Sequence, residues 1–465
     1  MPKLFFIIKN KNEYIAEHEV STLHSFCRLL KTQLRKTYLI SFVTLFFGLS
    51  VQLSYADSLA IAGWDVTGFG TIGYAQTDKY NDLVLKRNIT QKSHTIEENP
   101  WLIDSRLGLQ IRKELSPGWD AVGQIVAQEK VDNSFEEAIE MAFVRYHSAE
   151  NFSFRLGRMV LDTFQLSDYR NVGYSYHWVR PPTEFYGWIP YSHYDGFKGV
   201  YEVGDFDSLF RFEAFIGKTK STVNIGYKDD LTSKNYVKSA PVYGGGVTWE
   251  KDNLTLRAYI SRYRFVDNTN ALKALLSYVE DPGVAFYWPQ AKEIAQAYAI
   301  ENAKLTYGAL GFSWTPGAWH TQGEVSFVNA SNFGTYDGER AYIQVGRRFG
   351  EFLPHITYSR SWDNRDFPYA RPAIQGDPLI DLPLQGLYAT LKDNIYSGTI
   401  NQYTVSLGLR WDFATQKALK LQCDRTTLHE NSLGVFPTQN TVDFQERHFS
   451  KDTRTWCSAT LDWVF

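Results

Sequence analysis

Nine cationic side chains stand at alternating polar positions of extended segments in this 465-residue chain: Arg106, Arg112, Arg155, Arg211, Arg257, Arg340, Arg348, Arg410 and Lys420. Glu213, Glu324, Asp412, Asp424 and Asp462 occupy the same kind of position. A charged wall in a narrow passage concentrates the opposite ion, so rings of Arg or Lys favour anions. The pattern leans weakly to anionic or mixed solutes, against the alternative that these charges pair across strands. Reaction chemistry fits less well. Histidines stand at 177, 193, 320, 355, 429 and 448, but none lies in a recognisable Ser or Asp motif, and covalent catalysis needs nucleophile, base and orienting group on one surface. Gly70, Gly73 and Gly244–Gly246 fall inside strand patterns with no helix behind them, so they are not phosphate loops. Without a CxxC motif or Cys/His cluster, neither a metal nor a cofactor is expected.

The elements that must position these charges are strands. Segments of alternating polarity are expected near residues 64–76, 101–115, 120–130, 138–147, 152–160, 195–203, 207–218, 241–251, 253–265, 303–315, 318–330, 338–349, 351–363, 400–413, 417–427 and 453–465. In Gln402 to Phe413 the polar or small Gln402, Thr404, Ser406, Gly408, Arg410 and Asp412 alternate with Tyr403, Val405, Leu407, Leu409, Trp411 and Phe413. Such a strand has one wet and one apolar face. Neither face of 138–147 is clearly apolar. Connections alternate strictly between short, as at Ser116-Pro117-Gly118-Trp119 and Pro316-Gly317, and long, as at Leu161 to Tyr194, Val266 to Asn302 and Asn364 to Thr399. Trp64, Trp119, Trp249, Trp314, Trp319, Trp411 and Trp463 all fall at strand ends on the short-turn side, the order of an interfacial aromatic belt.

Composition agrees. Aromatic residues make up 16% of the chain, with 33 Gly and only 3 Met, which suits strands better than long helices. The charge balance of 48 Lys+Arg against 51 Asp+Glu excludes the basic surplus of a nucleic-acid binder. Tyr38 to Leu53 is an uncharged, mostly apolar run preceded by Lys31, Arg35 and Lys36 and followed by Ser54-Tyr55-Ala56. This is the order of a secretory signal, and it assigns residues 1–56 to a removable leader with an over-long N-terminal extension. Removing the leader's seven Lys/Arg and three Glu leaves 41 against 48, a net charge of −7 for residues 57–465.

A lipid-exposed backbone amide has no water to bond, so a sheet in a bilayer must close on itself. Sixteen strands leave an aqueous lumen. The expected fold is therefore all-β, a transmembrane antiparallel β-barrel of 16 strands with short periplasmic turns and long extracellular loops. Gly68-Phe69-Gly70-Thr71, Arg155-Leu156-Gly157-Arg158 and the terminal Trp463-Val464-Phe465, with the leader and strand count, resemble the Gram-negative outer-membrane porins. The resemblance implies a water-filled channel for passive diffusion of small hydrophilic solutes and ions. It implies a homotrimer in the outer membrane, in contact with lipid and lipopolysaccharide, and Trp463 and Phe465 as a signal to the barrel-assembly machinery. It also implies that the loop 161–194 folds inward as a constriction. The loop's Asp162, Asp168, Arg170, Arg180 and Glu184 would then face a wall carrying Arg106, Arg112, Arg155, Arg257, Arg340, Arg348 and Arg410.

A substrate-specific channel is the runner-up, because Pro289 to Ala303 looks helical and Asn364 to Thr399 is rich in Pro and Leu, and either could lid the entrance. An outer-membrane enzyme or adhesin is the more distant alternative. Cys423 and Cys457 lie on the apolar faces of the last two strands, and the antiparallel register that opposes them also opposes Leu428 and Asp452. A cross-strand disulfide is geometrically possible, as are two reduced thiols facing lipid.

Overall fold

A computed structural model describes residues 59–465 except 62, 78–82, 93–94, 149–150, 224–234, 333–336, 364–366, 431, 433 and 436–450. The leader expected over residues 1–56 lies outside the described residues. Strand β1 (Leu59–Ile61) is a short arm paired with the start of β2 (Trp64–Thr77). There follow β3 (Arg106–Ser116), β4 (Trp119–Gln128), β5 (Ile139–His147), β6 (Phe152–Val160), β7 (His193–Gly204), β8 (Ser208–Val223), β9 (Asn235–Lys251) and β10 (Leu254–Phe265). The second half contains β11 (Lys304–Trp314), β12 (Trp319–Ala330), β13 (Gly338–Arg347), β14 (Phe352–Trp362), β15 (Gln402–Ala414), β16 (Lys417–Leu428) and β17 (Asp452–Val464). Each of β2 to β17 pairs antiparallel with its chain neighbour, and β17 returns to β2, so sixteen strands close the barrel. Among the described residues no helix is long and apolar enough to cross a membrane.

The closing seam explains two of the short motifs. Outward-facing Gly68 and Gly70 leave room for rings that a Cβ would strike, Phe465 at 2.2 Å and Trp463 at 2.1 Å. Phe465 exchanges both backbone hydrogen bonds with Gly68. The short turns use left-handed residues, among them Gly118, Asn151, Asp252, Gly317, Gly350 and Gln416. The seven tryptophans occupy outward positions at the short-turn ends, with Trp119, Trp314 and Trp319 exposed.

Several boundaries differ from the sequence expectation. The strand expected from residue 101 begins at Arg106, because Trp101 to Asp104 form a turn whose Ile103 is buried. The loop expected over 219–240 is shorter, since β8 and β9 stay paired beyond a register shift at Gly217/Thr219. The loop expected over 161–194 ends at Ser192, where β7 begins. The ambiguous faces of 138–147 have a definite cause. Gln124 pairs with Met141 while Ile125 pairs with Ile139, so a bulge reverses the alternation at Glu140.

Helices appear only in loops. Asn270–Val279, Pro282–Tyr287, Ala291–Tyr298 and Pro378–Gly398 pack around buried Trp288, Ile294, Tyr298 and Leu391. The expected helical stretch in 289–303 is thus one of three in its loop, and the Pro- and Leu-rich loop supplies the fourth partner. Cys423 and Cys457 are directly opposed, with Cα atoms 4.1 Å apart and their sulfurs joined.

Candidate functional site

The inner wall and the β6–β7 loop build the site together. Alternation turns Arg106, Arg112, Arg155, Arg211, Arg257, Arg340, Arg410 and Lys420 inward. Isolated, these charges would face water. Here the loop Leu161–Ser192 crosses the lumen, and its backbone gives them acceptors. Arg106 donates to Asn171 O at 2.5 Å and to the Tyr176 hydroxyl at 2.6 Å. Arg410 donates to Tyr174 O at 2.6 Å and Tyr176 O at 3.1 Å, and Lys420 to Gly173 O at 2.5 Å and Trp178 O at 3.0 Å. Cations satisfied by carbonyls in this way hold the loop against β3, β15 and β16 without neutralising its own acids.

Aromatic side chains fix the rest of the loop. Trp178 and Trp188 are fully buried. The Trp178 indole donates to Thr357 on β14 at 2.8 Å, and Trp188 lies under the Arg340 guanidinium at 4.1 Å. Tyr186 hydrogen-bonds to Glu324 on β12 and to Tyr342 on β13, and Tyr191 bonds Ser239 on β9. Burying an aromatic ring of 150–250 Å² removes about 4–6 kcal/mol of unfavourable hydration, before the entropy of ordering the loop is counted. A loop so rich in Tyr and Trp therefore prefers the wall to solvent. The His177 imidazole donates from Nδ1 to Gln344 Oε1 at 3.2 Å, and burial drives it down to about 3 against the effect of that bond, so it is neutral here.

The loop's charges do not share one fate. Arg180 and Asp104 form a buried pair with bonds of 3.1 and 2.5 Å. Asp162 meets Arg257 at 2.5 Å and Lys198 at 2.9 Å, and Glu213 joins the same cluster. Burial pushes Asp162 up, but these two cations outweigh it and hold the carboxyl well below the usual carboxylate range. Arg170 reaches Glu140 at 3.0 Å. Glu184 accepts from Ser359 and is raised by burial. Asp168 opens onto the lumen, and its carboxyl is raised first by the Asp162 charge and then by the reduced hydration inside the barrel.

On the short-turn side of the loop lies a cavity of about 650 Å³. Asp162, Gln165, Asp168 and Tyr169 of the loop face Arg155, Lys198, Arg211, Glu213, Glu250 and Arg257 of β6 to β10 across it. Arg155 has no carboxylate at salt-bridge distance among the described residues and stacks over Phe143 at 5.5 Å. Arg112 and Arg348 stand apart from this cavity. Arg112 pairs with Asp120 at 2.7 Å beside the β3–β4 turn, and Arg348 pairs with Asp412 at 2.7 Å near the β13–β14 turn. Most wall cations are thus paired, which removes much of the surplus on which an anion leaning rests.

Sequence reasoning gave no site role to Asp104, which it set on the polar face with Arg106, nor to Glu140, Lys198 and Arg145, the last of which meets Asp120 at 2.5 Å. Lys198 shares the inward parity of β7 with Tyr194 and Val200, a signal that was present. Glu140 was hidden by the bulge, and Asp104 by a strand end that is in fact a turn.

No family model and no curated protein matches the sequence. Among solved structures the chain is similar to an anion-selective porin from Comamonas acidovorans, at 12% identity over 86% of this chain and 100% of that one, TM-score 0.46. It is also similar to the outer-membrane OmpT of Vibrio cholerae, at 10% identity over 88% and 100%, TM-score 0.45. A third is Salmonella typhi OmpF in complex with daunomycin, at 12% identity over 86% and 97%, TM-score 0.45. The chain's own strand pairing makes it a closed, sixteen-stranded antiparallel β-barrel.

Proposed function

We propose that the protein is an outer-membrane channel that passes small hydrophilic solutes and ions by diffusion, with the loop Leu161–Ser192 as its constriction. The observation that carries this is the loop anchored across the lumen beside a charged cavity of about 650 Å³. A polar lumen behind an apolar outer face suits water inside and lipid outside. The cavity carries both signs of charge, with Arg155 and Asp168 outside the salt bridges, so its charge preference is weak, and any leaning to anions rests on Arg155. Removal of the leader, a homotrimer, recognition of Phe465 by the assembly machinery and contact with lipopolysaccharide belong to the same proposal. A substrate-specific channel is the second reading, favoured by the four helices that the loops at 266–303 and 367–399 pack together. Single-channel conductance of the exported protein in planar bilayers tests both. Stepwise openings in salt are expected, and block by particular solutes would favour the specific channel. A folded barrel that never conducts would refute the proposal.

A further inference from the structure

The loop between β2 and β3 also packs against the inner wall, where it meets the loop Leu161–Ser192. Its Leu83, Leu85, Ile96 and Ile103 are buried with Ala75 of β2 and Trp456 of β17, which draws the residues between them inward. The Ile89 amide donates to Gly187 O at 2.9 Å, and a Cβ at Gly187 would stand 2.7 Å from Arg87 O, so the two backbones touch at a glycine. Beside this contact lies a smaller cavity, of about 60 Å³, and every residue lining it belongs to one loop or the other. It shares none of its lining with the cavity of about 650 Å³ on the short-turn side.

Three guanidinium groups and no carboxylate line this cavity, those of Arg87, Arg170 and Arg180. Two of them have acids outside it. Arg180 takes Asp104 through Nε and Nη2, and Arg170 takes Glu140, which Lys130 shares at 2.8 Å. Arg87 has no carboxylate at salt-bridge distance among the described residues, and its side chain is held by long bonds to Gln128 Oε1 at 3.3 Å and Arg170 O at 3.2 Å. Burial, and after it the Arg106 charge, push the Arg87 guanidinium down to about 10 against the opposing pull of Tyr176 and Asp104. Two donor nitrogens go unused. Nε of Arg87 and Nη1 of Arg180 are buried with no hydrogen-bond partner among the described residues. The Ser167 hydroxyl accepts from the Thr163 and Phe164 amides and keeps its own proton to donate. Leaving buried donors unpaired is costly. Water would pair the nitrogens but leave Arg87 without a counter-charge, and a buried unpaired charge is costlier still.

We propose that a resident oxyanion of the size of sulfate or phosphate occupies this cavity and bridges the two loops. A water needs about 10–15 Å³ of such space, so about 60 Å³ admits a group of about five heavy atoms, the size of a tetrahedral oxyanion. Guanidinium groups make short, charge-assisted bonds to oxyanions, and their planar fork suits an oxyanion better than a spherical halide. The site lies apart from the larger charged cavity, and it stands whether or not the barrel conducts.

The test is equilibrium dialysis of the exported protein in detergent against radiolabelled sulfate, with chloride holding the ionic strength constant. The wild type is expected to retain sulfate stoichiometrically. R87Q should weaken retention about tenfold or more, through loss of one charge-assisted partner, while keeping the heat-modifiable gel migration of a folded barrel. R87K keeps the charge but gives up the fork, so it too should bind more weakly than the wild type, and it carries the test if R87Q does not fold. R155Q, in the larger cavity, checks the place of binding. A wild type that retains no sulfate, parental retention in whichever Arg87 variant folds, or a loss that R155Q causes and the Arg87 variants do not, would overturn the proposal.

Discussion

Arg180→Ala is expected to release the loop Leu161–Ser192 from the barrel wall. Arg180 and Asp104 are 3% and 1% exposed, and two short bonds join them. Removing one partner of such a pair leaves a buried charge without its counterion, which costs about 3–5 kcal/mol. The guanidinium of Arg106, which donates to Asp104 O at 2.9 Å, offsets part of that loss, so the lower end of the range applies. At about 1.4 kcal/mol per tenfold, the docked-to-undocked ratio of the loop falls by about a hundredfold. The remaining anchors, from Arg410, Lys420 and Trp178, keep the loop near the wall without fixing it. In single-channel recordings the variant should therefore show higher mean conductance and more open-channel noise than the parent. The double variant R180A/D104A should recover part of the quiet state, because no charge is left orphaned. An R180A barrel that migrates as folded but conducts with parental amplitude and noise would refute the reasoning.

Asp168→Asn should shift the reversal potential in a salt gradient toward anions at pH 7, since it deletes a lumen carboxylate that no salt bridge holds. The Asp162 charge and the reduced hydration inside the barrel raise the Asp168 carboxyl, so it takes up its proton at higher pH than an ordinary aspartate. Acidification through that range should move the wild type toward anions and leave the variant without this step, and a parallel response of both would exclude Asp168 as the titrating group. Gly70→Val places a Cβ 2.1 Å from the Trp463 ring, and overpacking of this kind costs about 1–3 kcal/mol. The folded barrel should lose its compact gel migration at lower temperature, and an unchanged transition would show that the seam tolerates the ring's displacement. Intact mass under non-reducing conditions should find Cys423 and Cys457 two hydrogens lighter than after reduction, whereas free thiols reactive to alkylation without reductant would show the bond absent.

Alternating polarity made the barrel legible in the primary structure. Each strand must present one face to lipid and one to water, and a period of two records that choice residue by residue. The expected segment 152–160 coincides with β6, and the seam motifs at Gly68-Phe69-Gly70-Thr71 and Trp463-Val464-Phe465 meet across the closure. The pattern failed where the backbone broke its own period. A bulge at Glu140 exchanged the faces of β5, and the turn at Trp101 to Asp104 imitated the start of a strand that begins only at Arg106.

By itself, then, the sequence determined the strand count and the direction of each wall charge, and allowed the opposition of Cys423 to Cys457, because these follow from local periodicity and turn chemistry. Tertiary structure alone decided what those charges do. Whether Arg410 and Lys420 attract solutes or grip loop carbonyls, and whether Arg257 faces an open lumen or Asp162, depends on where a loop of thirty-two residues comes to rest. Its contacts join residues as many as 247 positions apart, from Gly173 to Lys420, and no local pattern encodes a partner at that separation.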